Sequence, residues 1–246
     1  MEFRHKLRKL VDGRSLASAR KHTLRLLRTN RFSLDTKRVI ETIDPSGFEH
    51  IRQRYAVANP GADWPKYLDL DRWIEINIRR IRELELDLSR SKRILDLGCG
   101  AGYFLYIAQL LGHSGLGLDM DRVAMFRDIT RLLGVRRVVQ RIEAFRPLPD
   151  FGQKFDVISA FMICFNDHKM PGLWKMPEWD FFLDDLAKHL KPRGRVWLEL
   201  NQEYDETFYT PELKEFFQKR GAKIDEQKVI FNSGLRAPAS TSPVAR

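Results

Sequence analysis

Residues 94–104 constrain the fold of this chain more than any other stretch: an apolar run, Ile94-Leu95-Asp96-Leu97, meets Gly98-Cys99-Gly100-Ala101-Gly102 and then the helix-compatible Tyr103-Phe104. Glycines at alternate positions let the backbone turn sharply and approach a ligand, and the helix N-terminus that follows offers free N–H groups. A buried strand, a glycine loop and a helix in that order open a βαβ unit, which predicts an open, mostly parallel, doubly wound α/β sheet. The spacing is G-x-G-x-G, and Tyr103 stands where a dinucleotide fingerprint has its third glycine. Asp96, two residues before Gly98, would repel a pyrophosphate and attract an ammonium group. The loop therefore fits NAD poorly and a cationic nucleotide-type ligand well.

The unit continues with a helix predicted from Gly102 to Leu111 and a short strand, Gly115-Leu116-Gly117-Leu118-Asp119. Asp119 falls 21 positions after Gly98, where an acid at the second strand's end can accept hydrogen bonds from both ribose hydroxyls. This pattern resembles the first motifs of the class I S-adenosylmethionine-dependent methyltransferases, in which D-x-G-x-G-x-G, here Asp96 to Gly102, cradles the methionine end of the cofactor. The resemblance spans residues 69–231 and implies a Rossmann-like sheet with S-adenosylmethionine as cofactor. It carries over Asp96, Gly98, Cys99, Gly100, Gly102 and Tyr103 as cofactor-binding residues, Asp119 for the ribose and Met120 for the adenine face. Glu143-Ala144 stands where the family holds the adenine edge, and Ala160 lies near the end of a fourth strand that faces the transferred methyl group. A preceding helix, residues 69–88, often flanks the pocket in this family, so Tyr67 or Trp73 could border it, with core packing the alternative for Trp73.

Other segments follow from local pattern. Asp44-Pro45-Ser46-Gly47 reads as a turn, with a short helix over 48–55. Asp121 is the expected N-cap of a helix reaching about Leu133. Residues 135–140, 155–161 and 194–200 are the third to fifth strands, the last preceded by a turn at Lys191-Pro192-Arg193-Gly194. Thr210 caps a helix that opens with Pro211. The family sheet closes with an antiparallel hairpin, but residues 222–231 hold one clear strand, which leaves a seventh open.

A chain of 246 residues with 43% hydrophobic residues can bury one substantial core. The expected organisation is a basic helical extension over 1–65, a cofactor-binding methyltransferase domain over 66–231, and a disordered tail over 232–246. Residues 1–38 hold twelve Lys/Arg against three acids, so this arm accounts for +9 of the net +10. Its amphipathic spacing fits a helical layer packed on the body, an anionic membrane surface, nucleic acid or a transit peptide. Two cysteines, no apolar run of membrane-spanning length and no secretory leader point to a cytoplasmic protein, or one peripheral at a membrane through the arm.

Sulfonium methyl transfer is an in-line displacement that needs a positioned nucleophile and relief of its proton. The carboxyl ends of strands four and five are the place for a base. His168 with Asp167, and Asn201 as an orienting group, are the candidates, with Glu199 and Gln202 as alternatives. Trp174 and Trp179 could close over a sugar or aromatic ring, or seal the sheet edge. No Asn/Asp-Pro-Pro-Tyr motif follows strand four, which lowers DNA-base and glutamine methylation, and no carboxylate cluster calls for a metal. The expected activity is O-methylation of a small-molecule or glycan-type acceptor. The alternatives are an RNA methyltransferase that uses the basic arm, or a non-catalytic S-adenosylmethionine-binding protein.

Overall fold

A computed structural model describes residues 23, 34–56, 64–163, 165 and 172–235. Cys164, Asn166, Asp167 and His168, the greater part of the basic arm, residues 57–63 and the tail from 236 onward lie outside the described residues. The described elements run α1 (Thr36–Glu41), α2 (Pro45–Ala56), a 3-10 turn (Trp64–Leu68), α3 (Leu70–Glu83), β1 (Arg93–Leu97), α4 (Tyr103–Leu110), β2 (Ser114–Asp119), α5 (Ala124–Leu132), β3 (Arg137–Val139), β4 (Phe155–Ile163), α6 (Met176–His189), β5 (Leu190–Leu200), α7 (Pro211–Lys219), β6 (Lys223–Asp225) and β7 (Lys228–Phe231). They form one seven-stranded sheet of order β3-β2-β1-β4-β5-β7-β6. The first five strands are parallel, and β7 and β6 close the edge antiparallel. The strand order reverses between β1 and β4, so the ligand crevice of such a sheet opens above their carboxyl ends.

Helices cover both faces, which is why the central strands are apolar on both sides. Ile94, Val157, Trp197 and Ile230 face a layer built from α1 to α5, whereas Leu95, Ile158, Ala160, Leu198 and Phe231 face α6 and α7. In the first layer Asp69 caps α3 through Arg72 N at 3.1 Å, and Ile74, Ile78 and Ile81 turn inward at helical spacing. Phe48 and Ile51 of α2 enter the same cluster with Val39 of α1, so both helices contribute to the core of the sheet. On the opposite face Phe165 meets Trp179 and Phe182 edge to face and Trp174 at a tilt, with Trp174 and Trp179 at 8% and 5% exposure. Those tryptophans pack into the core on this face of the sheet.

Three local expectations are corrected and one open point is closed. Residues 44–47 are not a free turn: α2 starts at Pro45, and the Asp44 carboxylate accepts from the N–H groups of Ser46 and Gly47, both at 3.1 Å. Asp121 does not cap α5; Val123 takes that place, and Asp121 accepts instead from Arg127 and Arg137, whose two guanidinium partners hold it in solvent reach. The stretch Lys191-Pro192-Arg193-Gly194 lies within β5 as an irregularity, where the register jumps between Phe155 and Val157 and Arg193 takes a positive φ of 61°. The seventh strand exists: Lys223 to Asp225 pairs antiparallel with β7, a strand too short to show a period of two in sequence.

Candidate functional site

At the carboxyl end of β1 the chain passes Gly98, Gly100 and Gly102 with φ values of 67°, 52° and 77°. All three lie in the left-handed region, which glycine alone enters without strain. At Gly102 a Cβ would also come within 3.0 Å of Thr130 Cγ2. The loop is fastened from the side, because Gly100 N donates to Asp119 Oδ2 at 2.5 Å. Burial raises the Asp119 pKa above the usual carboxylate value, against the pull of that N–H and of Arg137.

This loop forms the floor of a cavity of about 170 Å³. Asp96, Gly98, Cys99, Gly100, Gly102, Tyr103 and Asp119 line it, as the sequence pattern brings them together. Asp96 is 3% exposed and accepts from Ser159 Oγ at 2.7 Å. Burial raises its pKa to about 7, with the Ser159 hydroxyl and the charge of Arg80 opposing. Cys99 is a buried free thiol whose pKa burial pushes well up, so it serves as a small wall residue.

The remaining wall comes from residues that the glycine motif does not reveal. Tyr67 and Trp73 both border the cavity and stack with ring centroids 4.4 Å apart. Tyr103 ties its hydroxyl to Tyr67 O at 2.8 Å, which holds the 3-10 turn against the loop. Arg80 comes from the last turn of α3 and lies over the Phe161 ring at 4.3 Å, both residues lining the cavity. The only sequence signal for Arg80 is its place on the polar face of a helix predicted to flank the pocket.

Other sequence candidates do not join this wall. Ala160 is fully buried and faces the α6–α7 layer; its neighbour Phe161 faces the cavity instead, as strand alternation requires. Met120 is 37% exposed at the end of β2, and Glu143 and Ala144 lie on the surface, Glu143 paired with Arg146. Asn201 stands on the opposite side of the β4–β5 ends, in a narrow hydrophobic cleft with Phe165, Trp174 and Leu213. It does not face the glycine loop.

Fold and site together define a protein with a nucleotide-type crevice at the switch point of a mostly parallel sheet, one acid beneath the loop and a second at the end of β2. Residues 70–229 match the family model described as "Methyltransferase domain". The chain belongs to this family, the class I S-adenosylmethionine-dependent methyltransferases. It is 26% identical over 144 residues to "Methyltransferase GfsG" of Streptomyces halstedii, covering 54% of this chain and 47% of that protein. Over 109 residues it is 30% identical to a "Ubiquinone biosynthesis O-methyltransferase" of Chelativorans sp., covering 43% and 39%. The matched stretches thus span less than half the length of these relatives. Among solved structures, a TehB-like SAM-dependent methyltransferase from Corynebacterium glutamicum superposes with a TM-score of 0.46 at 17% identity, covering 77% of this chain and 100% of that one. No helix among the described residues is long and apolar enough to cross a membrane.

Proposed function

We propose that the chain transfers a methyl group from S-adenosylmethionine to an oxygen of a small-molecule or glycan-type acceptor. The observation that carries this reading is the pairing of Asp96 and Arg80 in one cavity wall, beside a glycine loop and Asp119. The amino-acid end of the donor is a zwitterion. Asp96 is the partner for its ammonium and Arg80 for its carboxylate, since the guanidinium fork fits a carboxylate in two parallel hydrogen bonds. In this reading Asp119 takes the ribose hydroxyls, and Tyr67, Trp73 and Phe126 of the same cavity supply aromatic wall.

The acceptor side of the reading rests on the polar groups next to Phe161 and Met162. Glu199 and Gln227 bond to each other at 2.9 Å there, and a carboxylate with an amide suits a hydroxylated acceptor better than an apolar one. The low cysteine content and the free thiol of Cys99 support a cytoplasmic setting. In this reading His168 and Asp167 remain the candidates for proton removal.

The test is methyl transfer from labelled S-adenosylmethionine into the small-molecule fraction of a cell extract, with an Arg80→Ala protein as control. Label in a small, base-stable product with the unaltered protein alone is expected. Label found only in RNA overturns the acceptor class, and the absence of any product above the control overturns the enzymatic reading.

A further inference from the structure

Arg80 belongs to two cavities. It lines the donor cavity with Asn77, Asp96 and Phe161, and it lines a second cavity of about 320 Å³ between α3 and the β6–β7 hairpin, with Ile76, Glu199 and Gln227. Little separates them. Phe161 on the donor side is the ladder partner of Glu199 on the other, and Gln227 Nε2 of the second cavity reaches Met162 Sδ of the first at 3.8 Å. Arg80 is the lining residue common to both. Its Nε donates to Glu199 Oε2 at 3.3 Å and its Nη1 to Asn77 Oδ1 at 3.2 Å. The second Glu199 oxygen accepts from Gln227 at 2.9 Å, so both oxygens of this carboxylate are engaged within the protein.

Among the described residues Arg80 is the cation of the donor-cavity wall. A donor that seats its ammonium at Asp96 brings a second carboxylate to the guanidinium that holds Glu199 at 3.3 Å, and the two negative groups then compete for a single positive charge. We propose that Arg80 exchanges partners: the donor carboxylate draws it from Glu199, and the released Glu199 then presents its carboxylate to the second cavity to anchor an acceptor that carries hydroxyl or amine groups. The inference rests on the donor reading given above. The lining agrees with a polar occupant, since a Lys228–Glu83 ion pair at 3.0 Å forms another part of that cavity's wall. Donor binding would thereby complete the acceptor site, with the two steps coupled through one side chain.

The exchange is read without knowing the acceptor. In calorimetry on the full chain, Glu199→Gln removes the charge that competes for Arg80 and keeps the side-chain shape. S-adenosylhomocysteine is expected to bind this variant roughly two- to fivefold more tightly, the worth of a partly buried ion pair no longer broken. Affinity for 5′-methylthioadenosine, which lacks the amino-acid end, should stay the same, and adding Arg80→Ala should abolish the gain. On the unaltered chain, carbodiimide and glycine ethyl ester should modify Glu199 faster when S-adenosylhomocysteine is present, by mass spectrometry, and no faster with 5′-methylthioadenosine. S-adenosylhomocysteine affinity unchanged or weakened in Glu199→Gln, or Glu199 labelling that does not rise, overturns the exchange. An unaltered chain that binds neither nucleoside overturns the donor reading, and the exchange falls with it.

Discussion

The two sides of the crevice are built differently. On the β1–β2 side the site is mostly backbone: three glycines at positive φ, an amide held by Asp119, and a helix start, all within residues 96–119. On the β4–β5 side it is side chains drawn from remote segments: Arg80 from α3, Phe161 and Met162 from β4, Glu199 from β5 and Gln227 from the hairpin. A backbone site tolerates few residue types and fixes one ligand. A side-chain site can be rebuilt by single substitutions, which is how one fold serves many acceptors.

That contrast predicts unequal sensitivity. The largest effect belongs to Gly102→Val. A β-branched residue at φ 77°, with its Cβ 3.0 Å from Thr130, should cost about 2–4 kcal/mol of stability, measured by denaturant unfolding. A loss below 1 kcal/mol would mean that the loop is adaptable and the contrast false.

Asp96→Asn should act in opposite directions on stability and binding. The folded-state pKa of Asp96, near 7, lies above the ordinary value of 3.8 because of burial. Between those values the unfolded chain binds fewer protons, so stability falls as pH rises through this window, and the full penalty is present above it. The asparagine variant should therefore be more stable by about 2–4 kcal/mol at pH 8, with the gain vanishing near pH 4. Its donor affinity should fall, and in the unaltered protein S-adenosylhomocysteine binding should weaken as pH drops below about 7. A pH-independent difference in melting temperature would contradict this assignment.

Asp119→Ala should weaken S-adenosylhomocysteine binding by about 1–3 kcal/mol in calorimetry, and unchanged affinity would exclude the ribose role. The smallest effect is expected on the other side of the crevice. Gln227→Ala should change donor affinity less than about twofold, and a larger loss would merge the two regions into one.

The same division explains what could be read from sequence. The succession of parallel strands along the chain, the glycine loop and the pairing of Asp96 with Asp119 are legible because backbone constraint restricts residue type at fixed spacing. Thr210 and Pro211 were legible too, as a cap and a first helical residue, and Thr210 Oγ1 does accept from Leu213 N. Arg80 was not legible, since an arginine on a helix that holds several has no local mark; only the tertiary approach of α3 to Phe161 distinguishes it. Ala160 was displaced by one residue because the phase of a strand buried on both faces cannot be read from an apolar run. Asn201 points into the opposite cleft for a related reason, as the chain leaves β5. The hairpin strand β6, Lys-Ile-Asp, has three residues and no period to detect.

The hydrogen bond from Gly100 N to Asp119 has a kinetic consequence. It joins the loop to a neighbouring strand through a contact that needs no ligand, so the loop's shape is a property of the protein itself. A donor molecule then meets a rigid cradle and pays little ordering entropy on arrival. Association on that side should be fast and nearly free of backbone rearrangement, with the slower adjustment confined to the arginine across the crevice.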